Sequence, residues 1–229
     1  MLTFKEYQDI YTIFESIDDA FGFITEDDHK QPWGHFKHNK GSDKSEHEQA
    51  HEFYHKHVKP HLDKSHHELK RLLHHAKTHD AKVITHTKSP ESFVDKVVNR
   101  KKSAHHIDDV SRGAILTRTH KEADQVVHNL KKKGHVVKHE HKTIGTSEGG
   151  YHGAHHVTVS AGGVHHEVQV MPKKVWTAKQ ESHKSYAKHR GSGEDSSDRQ
   201  KDNTHTKKLF RRAVIRSEDF IENEISIID

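Results

Sequence analysis

Four short stretches of this chain combine residue types and spacings that could handle phosphate and a divalent cation. The first holds Lys88, Ser92 and Lys96. Steps of four residues put two ammonium groups and a hydroxyl on successive turns of one helix, and Ser89 followed by Pro90 reads as the start of that helix. Such a face can cradle a polyphosphate, and it can equally be a solvated lysine stripe. The second stretch is the acid pair Asp108 and Asp109, just before an apolar run. A carboxylate there can project from the head of a strand toward a divalent ion, while a plain helix-to-strand turn has the same composition. The third runs from Glu148 to His155, with Gly149, Gly150 and Gly153 around Tyr151. Glycines let backbone approach a ligand closely and leave a tyrosine ring open to stack on a base, and ordinary turns use the same residues. The fourth is Glu167 with Gln169, which share one face of a strand whose Val168 and Val170 face the other way, a pattern that an alternating edge strand also produces.

The elements that must position these residues follow from the apolar spacing. Phe4, Tyr7, Ile10, Tyr11, Phe14 and Ile17 predict an amphipathic helix over residues 2–23. Residues 25–44 read as loop. A second helical region spans about 46–79, interrupted at Pro60, with sparse apolar marks at Phe53, Tyr54, Val58, Leu62, Leu69, Leu72 and Leu73, as for a layer lying on something else. Phe93, Val94, Val97 and Val98 form the buried face of the helix begun at Ser89. A short strand over 114–117, a helix over 120–133 ended by Gly134, and a second strand at Val136 and Val137 form a β-α-β unit. Strands over 155–160 and 164–171, joined at Gly162 and Gly163, form a hairpin. Pro172 opens a last core helix through Val175, Trp176 and Ala178 toward Tyr186. Residues 191–208 have the composition of a flexible linker, and 209–229 form a tail that docks as strand or helix. The expected organisation is an N-terminal helical region over 1–80, an α+β domain over 81–190 with a mixed sheet of about four to five strands flanked by helices, the linker, and the tail.

Composition bounds the function. Of 229 residues only 30% are hydrophobic and 31% are charged, and the mean hydropathy is −1.05, so the core is small with long polar margins. No window approaches a membrane span, and the N-terminal stretch carries acids where a secretion signal carries a basic start; a cytoplasmic protein with no membrane partner is expected. The absence of cysteine excludes disulfides, thiolate zinc sites and thiol nucleophiles. Lysine and arginine outnumber the acids by four, and the 29 histidines make that balance sensitive to pH. A fall toward pH 5.5 adds on the order of twenty positive charges. Histidine pairs such as His105 with His106, His139 with His141, and His165 with His166 could also ligate Zn2+, Ni2+ or Cu2+, and a metal-binding role without catalysis stands as an alternative.

Taken in order, the four stretches resemble the synthetase domain of the RelA/SpoT family, the enzymes that make the alarmone (p)ppGpp. Lys88, Ser92 and Lys96, then Asp109 and Val110, then Gly150 and Tyr151 with His155, then Glu167 and Gln169, and finally a helix with Trp176, Glu181, His183 and Tyr186 follow the family pattern over about residues 80–190. The seventeen-residue step from Ser92 to the acid matches the family's spacing and selects Asp109 over Asp108. The resemblance implies a nucleotidyltransferase-like fold and a small, single-function pyrophosphokinase. Such an enzyme transfers the β,γ-pyrophosphate of ATP to the 3′-hydroxyl of GDP or GTP with Mg2+. By resemblance, His86, Lys88, Ser92 and Lys96 bind ATP, Asp109 and Glu167 hold the metal, and Glu167 with Gln169 serves the attacking hydroxyl. Tyr151, His155 and Lys142 contact the acceptor. The chain departs from the pattern at three places: His86 stands for the family's leading arginine, Ala114 stands where an arginine follows the acid, with Arg112 two residues earlier, and residues 139–147 replace a basic stretch. Adenosine nucleotides and the 3′-CCA end of tRNA are therefore alternative acceptors. Short family members often form homo-oligomers, and the N-terminal helices are the expected contact surface.

Overall fold

The computed structural model describes residues 30–142, 153–189 and 197–218, with side chains except at 142, 183–203 and 218. The helix expected over 2–23 lies outside the described residues. Contacts divide the chain between residues 30 and 31, and the described elements all belong to the unit that begins at Gln31.

Helix α1 (Glu46–Phe53) begins at a capping box, in which the Ser45 hydroxyl accepts from the Glu48 N–H and the Glu48 carboxylate accepts from the Ser45 N–H. It continues through a π-helical turn (Tyr54–Val58) into α2 (Lys59–Ala76), with Pro60 tolerated in the first turn of α2. Strand β1 (Lys82–Thr87) leads into α3 (Pro90–Val94), capped by Ser89 and prolonged by a second π-helical turn (Asp95–Asn99). Two 3-10 turns (Ala104–His106 and Asp108–Val110) precede β2 (Ser111–Thr117). Then come α4 (His120–Lys132), β3 (Val136–Lys142), β4 (Ala154–Ala161), β5 (Val164–Pro172), α5 (Lys173–His189) and α6 (Ser197–Glu218).

The strands form one mixed sheet in the order β1-β2-β5-β4-β3, in which only β2 and β5 run parallel. The fold class is thus the α+β arrangement expected. Two details differ from expectation. Strand β1 is an added edge strand that the short Val83, Ile84 run did not reveal, and the β-α-β unit is split, since the β4–β5 hairpin inserts between β2 and β3. Gly162 and Gly163 turn that hairpin with positive φ at both positions, the geometry of a two-residue primed turn.

One face of the sheet packs on α2 and α4. Leu69, Leu72 and Leu73 meet Ile115, Val126, Val127, Leu130, Val157, Val168 and Val170 in a closed apolar cluster. Burial of each such side chain contributes about 1.5–3 kcal/mol. Helix α2 comes so close that a Cβ on Gly113 would stand 2.4 Å from Leu73 Cδ1, so any side chain there would force Leu73 to shift in the core. The C-terminal half of α2 is therefore part of the sheet's own core. A second cluster of Trp33, Tyr54, Val58, Leu62, Phe93, Val97, Ile107, Val110 and Val164 seats the segment from α3 to the head of β2. The opposite face of the sheet is covered toward one end by α5 and α6, with Ala114, Leu116, Ala154 and Met171 against Val175, Ala178, Phe210 and Ala213. Residues 197–208, expected as linker, are helical. Phe210 and Ala213 supply the reason, because docking their side chains compensates the entropy of ordering a polar helix. Among the described residues no helix is long and apolar enough to cross a membrane.

His166 is fully buried on the α2 side of β5, where its Nε2–H donates to the Ala161 carbonyl at 3.2 Å. Burial, reinforced by His66 and His165 and opposed by that hydrogen bond, lowers its pKa to about 4. The unfolded chain protonates this ring near pH 6.5, so the native state binds fewer protons and its stability is lost as the pH falls from about 6.5 toward 4. We expect His166 to remove about 2 kcal/mol of unfolding free energy between pH 7 and pH 5. Urea denaturation at both pH values should show that loss reduced by this amount in His166→Gln; an equal loss in the variant would refute it.

Candidate active site

Asp109 is the middle residue of the 3-10 turn ahead of β2, with φ −97° and ψ 17°, in the sparsely populated bridge region where active-site residues often sit. Its carboxylate is 13% exposed. Oδ2 accepts from Lys88 Nζ at 2.6 Å, from Arg112 Nη2 at 2.5 Å, and from Lys96 Nζ. Burial alone would raise the Asp109 pKa, but the hydrogen bonds of Lys88 and Lys96 and the charge of Arg112 outweigh it and hold the carboxyl well below the usual range. Lys88 is lowered to about 8, chiefly by burial, against the pull of Asp109.

Local structure delivers each partner. Lys88 follows the end of β1, and its backbone N–H donates to the Val110 carbonyl at 2.8 Å, which seats it beside the 3-10 turn. Lys96 lies in the π-helical turn after α3, anchored by Phe93 and Val97 in the second apolar cluster. Arg112 and Glu167 are register partners on the parallel strands β2 and β5, and His86 pairs with Arg112 on β1. Arg112 Nη2 is 3.4 Å from Glu167 Oε2 while it bonds Asp109. The two carboxylates thus converge on a single nitrogen atom, although 58 positions separate them in the chain. Glu167 Oε1 accepts from Gln169 Nε2 at 2.6 Å, and Gln169 Oε1 accepts from Lys179 Nζ on α5.

The cluster therefore holds four cationic side chains, Lys88, Lys96, Arg112 and Lys179, against two carboxylates. That balance suits a polyanion. Two buried atoms, Asp109 Oδ1 and Arg112 Nε, have no hydrogen-bond partner. A buried unsatisfied acceptor beside an unsatisfied donor finds its partners in a cation and an anionic oxygen respectively. Two carboxylates also form the donor set with which Mg2+ is held together with substrate phosphates, so the residues present fit that ion. Among the described residues no group of three or more His, Asp or Glu is arranged to hold a metal by itself.

No family model matches the chain, and no curated protein matches its sequence. Solved structures do. Small alarmone synthetase 1 from Bacillus subtilis, bound to its product pppGpp, superposes with a TM-score of 0.62 at 14% identity over 78% of this chain and 100% of its own. A GTP pyrophosphokinase family protein from Streptococcus pneumoniae superposes with a TM-score of 0.55 at 18% identity over 77% and 93%. The type VI effector Tas1, in complex with its immunity protein, does so at 0.55 and 15% identity over 79% and 100%. The chain has the small alarmone synthetase fold.

Within this alarmone-synthetase fold the structure brings Lys88, Lys96, Asp109, Glu167 and Gln169 together. Asp108 is turned away toward Gln31. His86 is exposed beside Arg112, and Ser92 is exposed on α3 one turn before Lys96. His155 is not brought to the cluster. Strand alternation places it with Val157, Val168 and Val170 on the opposite face, where its Nε2 donates to Asp124 at 2.9 Å, Nδ1 lies 3.1 Å from His139, and its ring stacks on His141. His155 and the cluster around Asp109 and Glu167 therefore lie on opposite faces of the sheet. Lys142 ends β3 opposite Ala154, and its side chain is not among those described. Tyr151 lies outside the described residues, as do the side chains of His183 and Tyr186.

Two contributors, Lys179 and Gln31, escaped the sequence reading, and a third, Arg112, entered it only as a displaced arginine of the pattern. Arg112 was legible as a site residue, because it lies three positions after Asp109 and alternates onto the face of Glu167. Lys179 and Gln31 carry no local signal. The Gln31 amide, 4% exposed, donates to the His165 carbonyl at 2.8 Å and the Ile107 carbonyl at 3.3 Å, and accepts from the His165 N–H at 3.1 Å. It occupies the place beside β5 that β2 would fill if it began earlier, and so joins the approach to Asp109 to the approach to Glu167. Losing these bonds in Gln31→Ala leaves buried backbone groups unpaired, and we expect about 3 kcal/mol lower unfolding free energy by chemical denaturation. A loss below about 1 kcal/mol would show that this suture is not structural.

Proposed function

We propose that this protein is a nucleotide pyrophosphokinase, transferring the β,γ-pyrophosphate of ATP to the 3′-hydroxyl of GDP or GTP and releasing AMP. One observation carries the reading: Asp109 and Glu167 converge on Arg112 inside a cluster of four cations, on the fold that small alarmone synthetases have.

Pyrophosphoryl transfer needs alignment and charge neutralisation more than covalent help from the protein. In this account the acceptor 3′-oxygen bonds to the β-phosphorus of ATP. The bond from the β-phosphorus to the oxygen bridging it to the α-phosphorus breaks, and that oxygen leaves with AMP. Lys88 and Lys96 hold donor phosphates from the Asp109 side, with Ser92 and His86 at the margin of the same face. Asp109 and Glu167 would hold Mg2+, which supplies charge neutralisation at the phosphates when bound. Glu167 would draw the proton from the attacking hydroxyl, with its Oε1 oriented by the Gln169 amide. Tyr151 would stack on the acceptor base and Lys142 would meet its phosphates.

A second reading keeps the reaction and changes the acceptor to an adenosine nucleotide or a tRNA 3′-CCA end. It is supported by the replacement of the basic stretch before Tyr151 and by the likeness to a type VI effector. A non-catalytic metal-binding role has less support, because the described histidines form no ligand set.

Purified protein incubated with ATP, Mg2+ and separately GDP, GTP, ADP or deacylated tRNA should release AMP with GDP or GTP. Glu167→Gln and Asp109→Asn should each slow this about a thousandfold or more, as expected for groups that anchor charge at the reacting centre. AMP release with ADP or tRNA alone would move the acceptor to the second reading. The absence of AMP with every acceptor, or an undiminished rate in Glu167→Gln, would overturn the proposal.

A further inference from the structure

Ala114 and Gln169 are register partners on β2 and β5, one row along the sheet from Arg112 and Glu167. Both rows face the side that α5 covers. A methyl group at 114 brings no charge to its row, and the cation there arrives from another element. Helix α5 packs Val175 and Ala178 against Ala114, which brings the next residue, Lys179, over Gln169. Its Nζ lies over the Trp176 ring, 4.9 Å from the ring centroid, and its ammonium donates to Gln169 Oε1. The aromatic face and the amide oxygen hold the ammonium at the end of a chain that runs through Gln169 to Glu167 and Arg112.

We infer that Lys179 is a phosphate-binding residue of the transfer site, supplying from α5 the positive charge that an arginine at position 114 would supply from β2. This rests on the pyrophosphokinase reading for the identity of the ligand, a nucleoside triphosphate. The geometry gives the site two cationic flanks. Lys88 and Lys96 approach Asp109 from the α3 side, Lys179 approaches Glu167 from the α5 side, and Arg112 lies between them. A triphosphate chain that lies along the row is gripped at both ends, and such a grip favours a polyphosphate over a single phosphate. Burial, reinforced by the charge of Arg112 and opposed by that of Glu167, lowers Lys179 to about 8, so both the carboxylate and the guanidinium of the site are felt at its ammonium.

The test separates charge from hydrogen bonding. Lys179→Gln retains an N–H donor for Gln169 and removes the charge; Lys179→Met removes both and gives a second, apolar replacement should the first fold poorly. Inorganic tripolyphosphate is titrated calorimetrically into each full-length protein, and the KM for ATP is measured in parallel. One charge-assisted contact to phosphate predicts tripolyphosphate binding at least about tenfold weaker in both variants, with a matching rise in KM. Binding within twofold of the unaltered protein in Lys179→Gln would show that Lys179 only steadies Gln169 and would overturn the inference. The tripolyphosphate readout does not depend on turnover: an unaltered protein that makes no AMP refutes the pyrophosphokinase reading, whereas one that makes AMP while its variants bind tripolyphosphate undiminished refutes the role of Lys179 alone.

Discussion

The Arg112 guanidinium between Asp109 and Glu167 is the interaction on which the site depends. Two half-buried carboxylates brought this close repel each other, and each loses hydration as the sheet and helices close around it. A guanidinium shared between them reverses the sign of that energy. Lys88 and Lys96 then overcompensate on the Asp109 side, which is why its carboxyl stays ionised despite burial. The result is a pair of acceptor groups ready for a cation, set among donors ready for an anion. In the proposed reaction the carboxylates would meet the cation and the ammonium and guanidinium groups the phosphate chain.

The rest of the fold holds that bridge at a fixed width. Parallel pairing of β2 with β5 puts Arg112 beside Glu167, and the register allows no slip, because a shift of one residue would turn Val168 and Val170 out of the α2 and α4 core. On the other side of the bridge, Phe93, Val97, Ile107 and Val110 clamp the approach to Asp109 in a separate apolar cluster. Gln31 ties the two approaches together through backbone hydrogen bonds. Three independent pieces of packing thus converge on one distance, and among the described residues α5 and α6 pack on the sheet face that carries the site.

The same alternation that positions Glu167 removes His155. In β4 the odd positions His155, Val157 and Val159 all face α2 and α4, so the buried histidine joins a hydrogen-bonded chain with the more exposed Asp124 and His139. Its place in a motif is a statement about sequence order, whereas its face is decided by which neighbour β4 pairs with. Lys179 is the converse case. Nothing distinguishes it among the lysines of α5 until the helix docks by Val175 and Ala178, and only then does its ammonium reach Gln169.

From residue order alone came the helix over 120–133, the hairpin turned by Gly162 and Gly163, the Ser89 start of α3, and the pairing of Glu167 with Gln169 on one strand face. Each of these rests on contacts within a few residues, where periodicity, capping and positive φ act directly. The added strand β1, the insertion of the hairpin between β2 and β3, the helical state of residues 197–208, and the partners Lys179 and Gln31 were decided only in three dimensions. They depend on burial and hydrogen bonding between segments far apart in the chain, and the free energy of such contacts exists only once both surfaces are in place.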